Sequence, residues 1–319
     1  MAPDLFTVEP TADGSATFYS ETFGEWFHSR NGAYDEARST YVQATQLVER
    51  AQTQGHITLL DVCYGLGYNT AAALERLWAV RPELPIRLVG LELDVMVPRA
   101  AIAQGLLNDW PESVQVALAE IASPYPKCPS QTWKGHFSEE THLTAKLLIG
   151  DARQQIQNLV AQNFQADVIF LDPFSPPRCP QLWTVEFLSL VAQCLHPQGI
   201  LATYSCAAAV RTALTTAGLH IGSLAAPGRR WPSTLASHAE ENLPPLSQQE
   251  LEHLLTRAAV PYRDPTLRDE AAMIQQRRSQ EQAQSSLRST GAWRRRWLSA
   301  SARGRSEADS TAGDRGSQT

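Results

Sequence analysis

The chain contains no apolar run of the roughly 18 residues that a bilayer-spanning helix needs, so a membrane-spanning segment is not expected. Its first residues, MAPDLFTVEPTADGS, have neither a basic segment nor an apolar stretch, so no secretory leader is expected. Cysteine is sparse. Cys63, Cys128, Cys179, Cys194 and Cys206 are scattered, odd in number and never spaced as CxxC. That pattern argues against a disulfide framework or a zinc site and for free thiols in a reducing cytoplasm. Positive charge is in deficit, with a formal net charge of −6, which argues against nucleic-acid binding by the surface as a whole. There is no internal repeat. What is present is 319 residues with 43% hydrophobic composition, enough for one large core and a small additional unit.

The pattern along the chain alternates between periods 2 and 3.6. Two short aromatic runs in ATFYSETFGEWFH (16–28) predict a hairpin, and Ala37, Tyr41, Ala44 and Val48 predict a helix over 33–52. Strands are predicted at 57–62, 86–92, 146–151, 167–171, 200–205 and 219–225. Helices are predicted at 70–81, 152–162, 183–195 and 206–217, with a long crossover over 95–144. Strands alternating with helices imply an α/β fold, a parallel sheet covered on both faces. Residues 226–245 read as loop, and 246–258 and 268–285 as helices. From 286 the Ser/Gly/Arg-rich composition predicts a disordered tail. The expected units are a hairpin and helix (1–52) capping a ligand site, a core (53–245), a helical extension (246–285) and the tail (286–319).

In an open parallel sheet, ligands bind beyond the carboxyl ends of the strands. Four successive predicted strands finish there on an acid: Asp61, Glu92, Asp151 and Asp172. Helix capping is an alternative for any one of them, most of all for Asp151 before ARQQI, but accounts poorly for all four. Between the first strand and its helix runs Cys63-Tyr64-Gly65-Leu66-Gly67-Tyr68-Asn69-Thr70. A dinucleotide fingerprint wants a third glycine where Thr70 stands. The acids suit a different ligand: Glu92 can accept from both ribose hydroxyls and Asp151 from an adenine amine. A nucleoside without phosphates that carries a positive sulfonium matches such a rim, and S-adenosylmethionine is that ligand.

DVCYGLGYN resembles motif I of class I (Rossmann-like) S-adenosylmethionine-dependent methyltransferases, with Cys63 at the first glycine position and Asn69 at the last. Three stretches together, SATFYSETFGEWFHSRNGAYDEARSTYV, LDVCYGLGYNT and LDPFSPPRCPQLWTVEFL…ATYSCAAAVRTAL, resemble the methyltransferase of the bacterial MnmC family. RAAVPYRDPTLRDE resembles the end of its stand-alone members. The resemblance covers roughly residues 10–285. It implies N-methylation of the 5-aminomethyl group of a modified tRNA wobble uridine, giving 5-methylaminomethyl-(2-thio)uridine, without the flavin-dependent oxidase domain of fused members. The partners it implies are the tRNA anticodon arm and, functionally, the upstream enzymes that form the aminomethyl group. The implied cofactor set is Tyr19, Ser29, Glu36, Asp61, Gly65, Gly67, Asn69, Glu92, Asp151 and Asp172, with His28 a further polar candidate near the cofactor cap.

Asp172 opens DPFSP, which resembles the (D/N)PP(Y/F) loop of enzymes that methylate exocyclic amines. Methyl transfer from a sulfonium is an in-line displacement, so the amine must be held and water excluded. A rigid proline turn at a strand end provides that, with Asp172, Pro173 and Phe174 as the expected catalytic turn. The competing reading is an ordinary strand stop. The substrate amine is mostly protonated at neutral pH, and an ordinary carboxylate is a poor base for it, so orientation and charge stabilisation by Asp172 are favoured, with proton loss to water open. Phe174 can stack on a base or pack under the loop.

Charge is uneven along the chain: residues 257–305 hold 11 arginines and 4 acids. Arg178, Arg229 and Arg230, with Trp183 and Trp231 nearby in sequence, are candidates to hold single-stranded RNA by phosphate contact and stacking. A transferase acting on small amines, a nicotinamide oxidoreductase and an inactive RNA-binding module are the alternatives.

Overall fold

The computed structural model describes residues 6–123, 133–135, 142–225, 231–241 and 243–297. Near the N-terminus, β1 (Val8–Pro10), β2 (Ala16–Ser20) and β3 (Glu25–Trp26) form a small antiparallel sheet. The expected hairpin is its β2–β3 pair, with Tyr19 opposite Trp26.

The main sheet comprises β4 (Ile57–Val62), β5 (Ile86–Glu92), β6 (Trp133–Gly135), β7 (Leu143–Ile149), β8 (Ala166–Leu171), β9 (Leu195–Thr203), β10 (His220–Leu224) and β11 (Ser233–Ser237). Their order is β10-β11-β9-β8-β4-β5-β7-β6. The five inner strands from β9 to β7 run parallel; β6, β10 and β11 are antiparallel to their neighbours. The chain proceeds outward from β4 through β5 to β7, then returns to the other side of β4 for β8. That reversal places a crevice beyond the carboxyl ends of β4 and β8.

Every residue of β4 is buried, as expected of a strand covered on both faces. Alternate residues serve different layers. Ile57 and Leu59 join a core with helices 68–80, 96–103 and 112–121; Leu60 and Val62 join the other, with helices 152–161, 185–193 and 208–216.

The structure corrects several boundaries. The helix expected over 33–52 is interrupted: residues 37–43 are π-helical, and Gln46 takes a positive φ of 53° before helix 47–53. The helix expected over 183–195 is a short 3-10 turn, Pro180–Trp183, followed by Val185–Gln193. The Thr184 side chain caps the latter by accepting from the Phe187 amide. Strand β9 begins at Leu195, before the expected start at 200, and runs through His196-Pro197-Gln198-Gly199.

Residues 226–245 are not all loop, since β11 lies between β9 and β10 with all five residues buried. Its sequence, STLAS, has no apolar run to announce a strand. Two of its polar side chains are satisfied within the fold instead: Thr234 Oγ1 donates to the Ser205 carbonyl at 2.7 Å and accepts from Arg211 Nε at 3.0 Å, and Ser237 Oγ donates to the Gly199 carbonyl at 2.9 Å.

The expectation of disorder from 286 fails for residues 286–297. Arg288 bridges to Thr256, and residues 290–297 are helical. Trp293 stacks on His253 at 4.0 Å, and its Nε1 donates to the Gln249 carbonyl at 2.9 Å. Two tryptophans anchor a sequence whose arginines alone read as solvated tail. The Pro/Ser/Cys-rich middle of the long crossover lies largely outside the described residues, as does the chain beyond Trp297.

Candidate active site

A cavity of about 600 Å³ opens at the crevice beyond the carboxyl ends of the parallel strands. That volume is in the range of small-molecule and cofactor sites. The N-terminal segment from Ser20 to Arg30 supplies one wall, facing the strand-end turns.

The turn after β4 is shaped by backbone conformation. Cys63, Gly65 and Gly67 have φ of 68°, 56° and 91°, all in the left-handed region. A side chain on Gly67 would also approach Tyr64 Oη at 3.1 Å. Gly67 precedes helix 68–80, and the Gly65 amide donates to Glu92 Oε2 at 2.8 Å. Glu92 Oε1 accepts from the Asp94 amide at 2.9 Å. Burial pushes the Glu92 carboxyl above its ordinary value, although these amides oppose the shift. Each oxygen retains a lone pair for a ligand hydroxyl.

Asp172 follows the last residue of β8, beside this turn. Its amide donates to the Val62 carbonyl at 3.1 Å, and its Oδ2 accepts from Asn69 Nδ2 at 2.8 Å. The buried Tyr41 hydroxyl lies near the same carboxylate; burial first, then the Asp172 charge, holds that phenol well above its ordinary pKa. The residues that follow are clamped one by one. The Pro173 carbonyl accepts from Tyr204 Oη at 2.9 Å, and the Phe174 carbonyl from Trp183 Nε1 at 2.8 Å. The Ser175 amide donates to Glu25 Oε2 at 2.9 Å, and the Ser175 hydroxyl to Glu25 Oε1. The Phe174 ring stacks on Phe23 at 4.5 Å and meets Phe27 edge-on at 5.0 Å.

Of the residues expected from sequence, Ser29, Glu36, Gly65, Glu92, Asp151, Asp172, Pro173 and Phe174 line the cavity, as does His28. The Ser29 amide donates to Glu36 Oε2 at 3.2 Å. Others lie behind or outside it. Asp61 is fully buried in β4 and accepts from Thr70 Oγ1 at 2.7 Å; burial pushes its pKa up to about 8. Asn69 is buried against Asp172. Tyr19 packs on Trp26 at 4.9 Å. Trp183 is fully buried, so it supports the turn from beneath and offers no face to a nucleobase. Arg178 is exposed, next to the hairpin at Gly24. Arg229 and Arg230 lie outside the described residues.

Sequence reasoning missed Glu25 and Tyr204, which also line the cavity. Tyr204 lies immediately beyond β9, so the strand-end survey that found the acids could have reached it. No sequence signal connects Glu25 to Ser175.

Six carboxylates face the cavity: Glu25, Glu36, Glu92, Asp94, Asp151 and Asp172. Two arginines also line it, but Arg153 is held by Asp151 and Asp264, and Arg30 is paired with Glu9. Burial lowers the His28 pKa and keeps that ring neutral. The cavity thus favours cationic ligands. A carboxylate beside a glycine turn, with negative charge for a sulfonium, fits S-adenosylmethionine.

Fold and site define the class, an S-adenosylmethionine-dependent methyltransferase. The family model described as S-adenosyl-L-methionine-dependent methyltransferase matches residues 102–239. The crystal structure of MnmC2 from Aquifex aeolicus superposes with a TM-score of 0.74 at 33% identity, covering 88% of this chain and 86% of that one. The bifunctional MnmC protein of Aromatoleum aromaticum, described as acting in tRNA 5-methylaminomethyl-2-thiouridine biosynthesis, is 30% identical over 65% of this chain and 31% of its own length. Protein MJ0670 of Methanocaldococcus jannaschii, uncharacterized, is 28% identical over 81% of this chain and 67% of its own. The chain belongs to the MnmC2 methyltransferase family. It spans about a third of the length of the bifunctional relatives it matches.

Proposed function

We propose that the protein transfers a methyl group to the aminomethyl nitrogen at position 5 of a modified tRNA wobble uridine, giving 5-methylaminomethyl-(2-thio)uridine. The observation that carries the reading is the Asp172-Pro173-Phe174-Ser175 turn at an acid-lined cavity, each residue anchored from another part of the fold. The named activity of the MnmC relatives supports the choice of substrate.

Glu92 and the Gly65 turn would hold the cofactor, which would supply an activated methyl on a positive sulfonium. Asp172, fixed by Asn69, accepts a hydrogen bond from the substrate amine and aims its lone pair at the methyl carbon. The surrounding carboxylates attract the protonated amine and stabilise the positive charge that passes from sulfur to nitrogen. The amine must shed one proton before attack, to water or to Asp172. Phe174, braced by Phe23 and Phe27, helps to exclude water. Arg178, at the mouth of the hairpin, is a candidate contact for the RNA backbone, with Arg229 and Arg230 the further candidates read from the sequence.

The same acid-lined cavity also suits a free amine, which keeps a small-molecule amine transferase as the second reading. Incubation of the protein and adenosylmethionine with tRNA lacking the final methyl, followed by nucleoside mass analysis, tests both. Gain of one methyl on the aminomethyl nucleoside in intact tRNA supports the first reading. Efficient turnover of the free nucleoside, with no gain from intact tRNA, moves the assignment to the second.

A further inference from the structure

The acid expected to take the adenine amine is already engaged. Asp151 caps helix 152–161 by accepting from the Arg153 amide at 2.9 Å. Its two oxygens also accept from the Arg153 guanidinium, at 3.2 and 3.1 Å from Nε and 2.7 Å from Nη2. Arg153 cannot readily release it, because the fully buried Asp264 carboxylate holds Arg153 Nη1 at 2.8 Å. A bidentate pair of this kind fixes orientation as well as charge. Turning Asp151 toward a ligand would break the cap and the pair together.

The short turn Pro180–Trp183 packs on the same helix 152–161. It carries Gln181 into the cavity lining alongside Asp151, Ala152 and Arg153. Gln181 Oε1 is buried and has no hydrogen-bond partner among the described residues. Leaving a buried acceptor unpaired costs about 1–3 kcal/mol, so an orphaned amide in a ligand cavity points to a missing donor. An amide is the side chain that can pair with adenine at two points, accepting from the N6 amine and donating to N7. We propose that Gln181 reads the adenine of the cofactor, while Asp151 and Arg153 form the rigid wall beside it. The inference rests on adenosylmethionine being the cofactor.

The test is calorimetric titration with two product analogues, S-adenosylhomocysteine and S-inosylhomocysteine, which differ by a 6-amino donor against a 6-oxo acceptor. Gln181→Glu keeps an acceptor and cannot turn over to present a donor. Because it also loses the donor to N7, it is expected to bind the adenosine form about tenfold more weakly than wild type, and to widen the preference for it over the inosine form by about tenfold or more. Gln181→Leu is expected to weaken adenosine binding about tenfold and to narrow the preference toward unity. Wild-type binding of the adenosine form with an unchanged preference in both variants overturns the role of Gln181 alone. Wild-type protein that binds neither analogue overturns the cofactor assignment, and this inference with it.

Discussion

Two turns meet at this site, and they are stabilised by opposite means. The turn after β4 and the turn after β8 follow adjacent parallel strands, with Val62 opposite Leu171. The first takes its shape from its own backbone: three residues with positive φ and one external carboxylate, Glu92. The second has no positive φ among Asp172, Pro173, Phe174 and Ser175. It takes its shape from Asn69, Tyr204, Trp183 and Glu25, which arrive from separate parts of the chain. A turn coded by local conformation is readable from a short motif. A turn coded by distant clamps is readable only once the fold has brought them together. The difference also suggests a division of labour, with a fixed turn shape for a common cofactor and tunable clamps for a particular acceptor.

The largest effect should come from the second turn. Asp172→Ala removes an interaction made mainly in the transition state, so single-turnover methylation should fall by about 10²-fold or more, with cofactor affinity nearly unchanged. Rapid-quench methyl transfer alongside calorimetry measures both. A wild-type rate would reduce DPFSP to a strand stop. The first turn should show the reverse. Glu92→Ala loses hydrogen bonds to a charged acceptor, about 1.5–3 kcal/mol of cofactor binding, and the loss should appear in the calorimetric Kd. An unchanged Kd would mean that the cofactor does not engage this carboxylate.

Beneath the first turn lies Asp61, whose folded pKa is raised to about 8 by burial, the largest cause. The folded chain therefore holds a proton that the unfolded chain releases near the ordinary carboxylate pKa. The stability linked to that proton is complete below about pH 4 and is lost as pH rises toward about 8. Asp61→Asn removes the titration and keeps an oxygen for Thr70. Its melting temperature should fall less steeply than that of wild type between about pH 5 and 8.5. Parallel curves would show that Asp61 is ionised in the folded protein.

The same contrast explains what could be read in advance. The alternation of strands and helices carried the parallel sheet, because strands such as β4 and β8 are mostly apolar, ITLLDV and ADVIFL. Strand β11 was hidden because STLAS is short and half polar: Leu235 and Ala236 join the cores, while Thr234 and Ser237 are buried through hydrogen bonds that the sequence does not announce. Asp172, Glu92 and the glycine turn stood out because they lie at strand ends within recognisable short motifs. Glu25 did not, because its partner Ser175 is 150 residues away. Trp183 read as a surface aromatic because sequence gives no sign that its indole donates inward to the Phe174 carbonyl. The tail from 286 to 297 was misread because its arginines mask the two tryptophans that hold it.

The smallest expected effect is the sharpest test of the comparison. Tyr204 is half-buried beside Asp172; desolvation, followed by the charges of Asp172, Glu25 and Glu36, drives its phenol pKa well above the ordinary value. It therefore stays protonated and donates to the Pro173 carbonyl. Tyr204→Phe keeps the ring and removes only that donor, leaving a partly buried carbonyl short of one partner, a loss of about 1 kcal/mol. If distant clamps hold the second turn, the methylation rate should drop a few-fold, by up to about tenfold, with cofactor Kd unchanged and the pH dependence of the rate preserved. A loss confined to cofactor binding would show that the two turns are not independent. A changed pH–rate profile would make the tyrosine a proton carrier. An unchanged rate would mean that the proline ring alone fixes the turn, and the contrast between a locally coded and a distantly clamped turn would no longer hold.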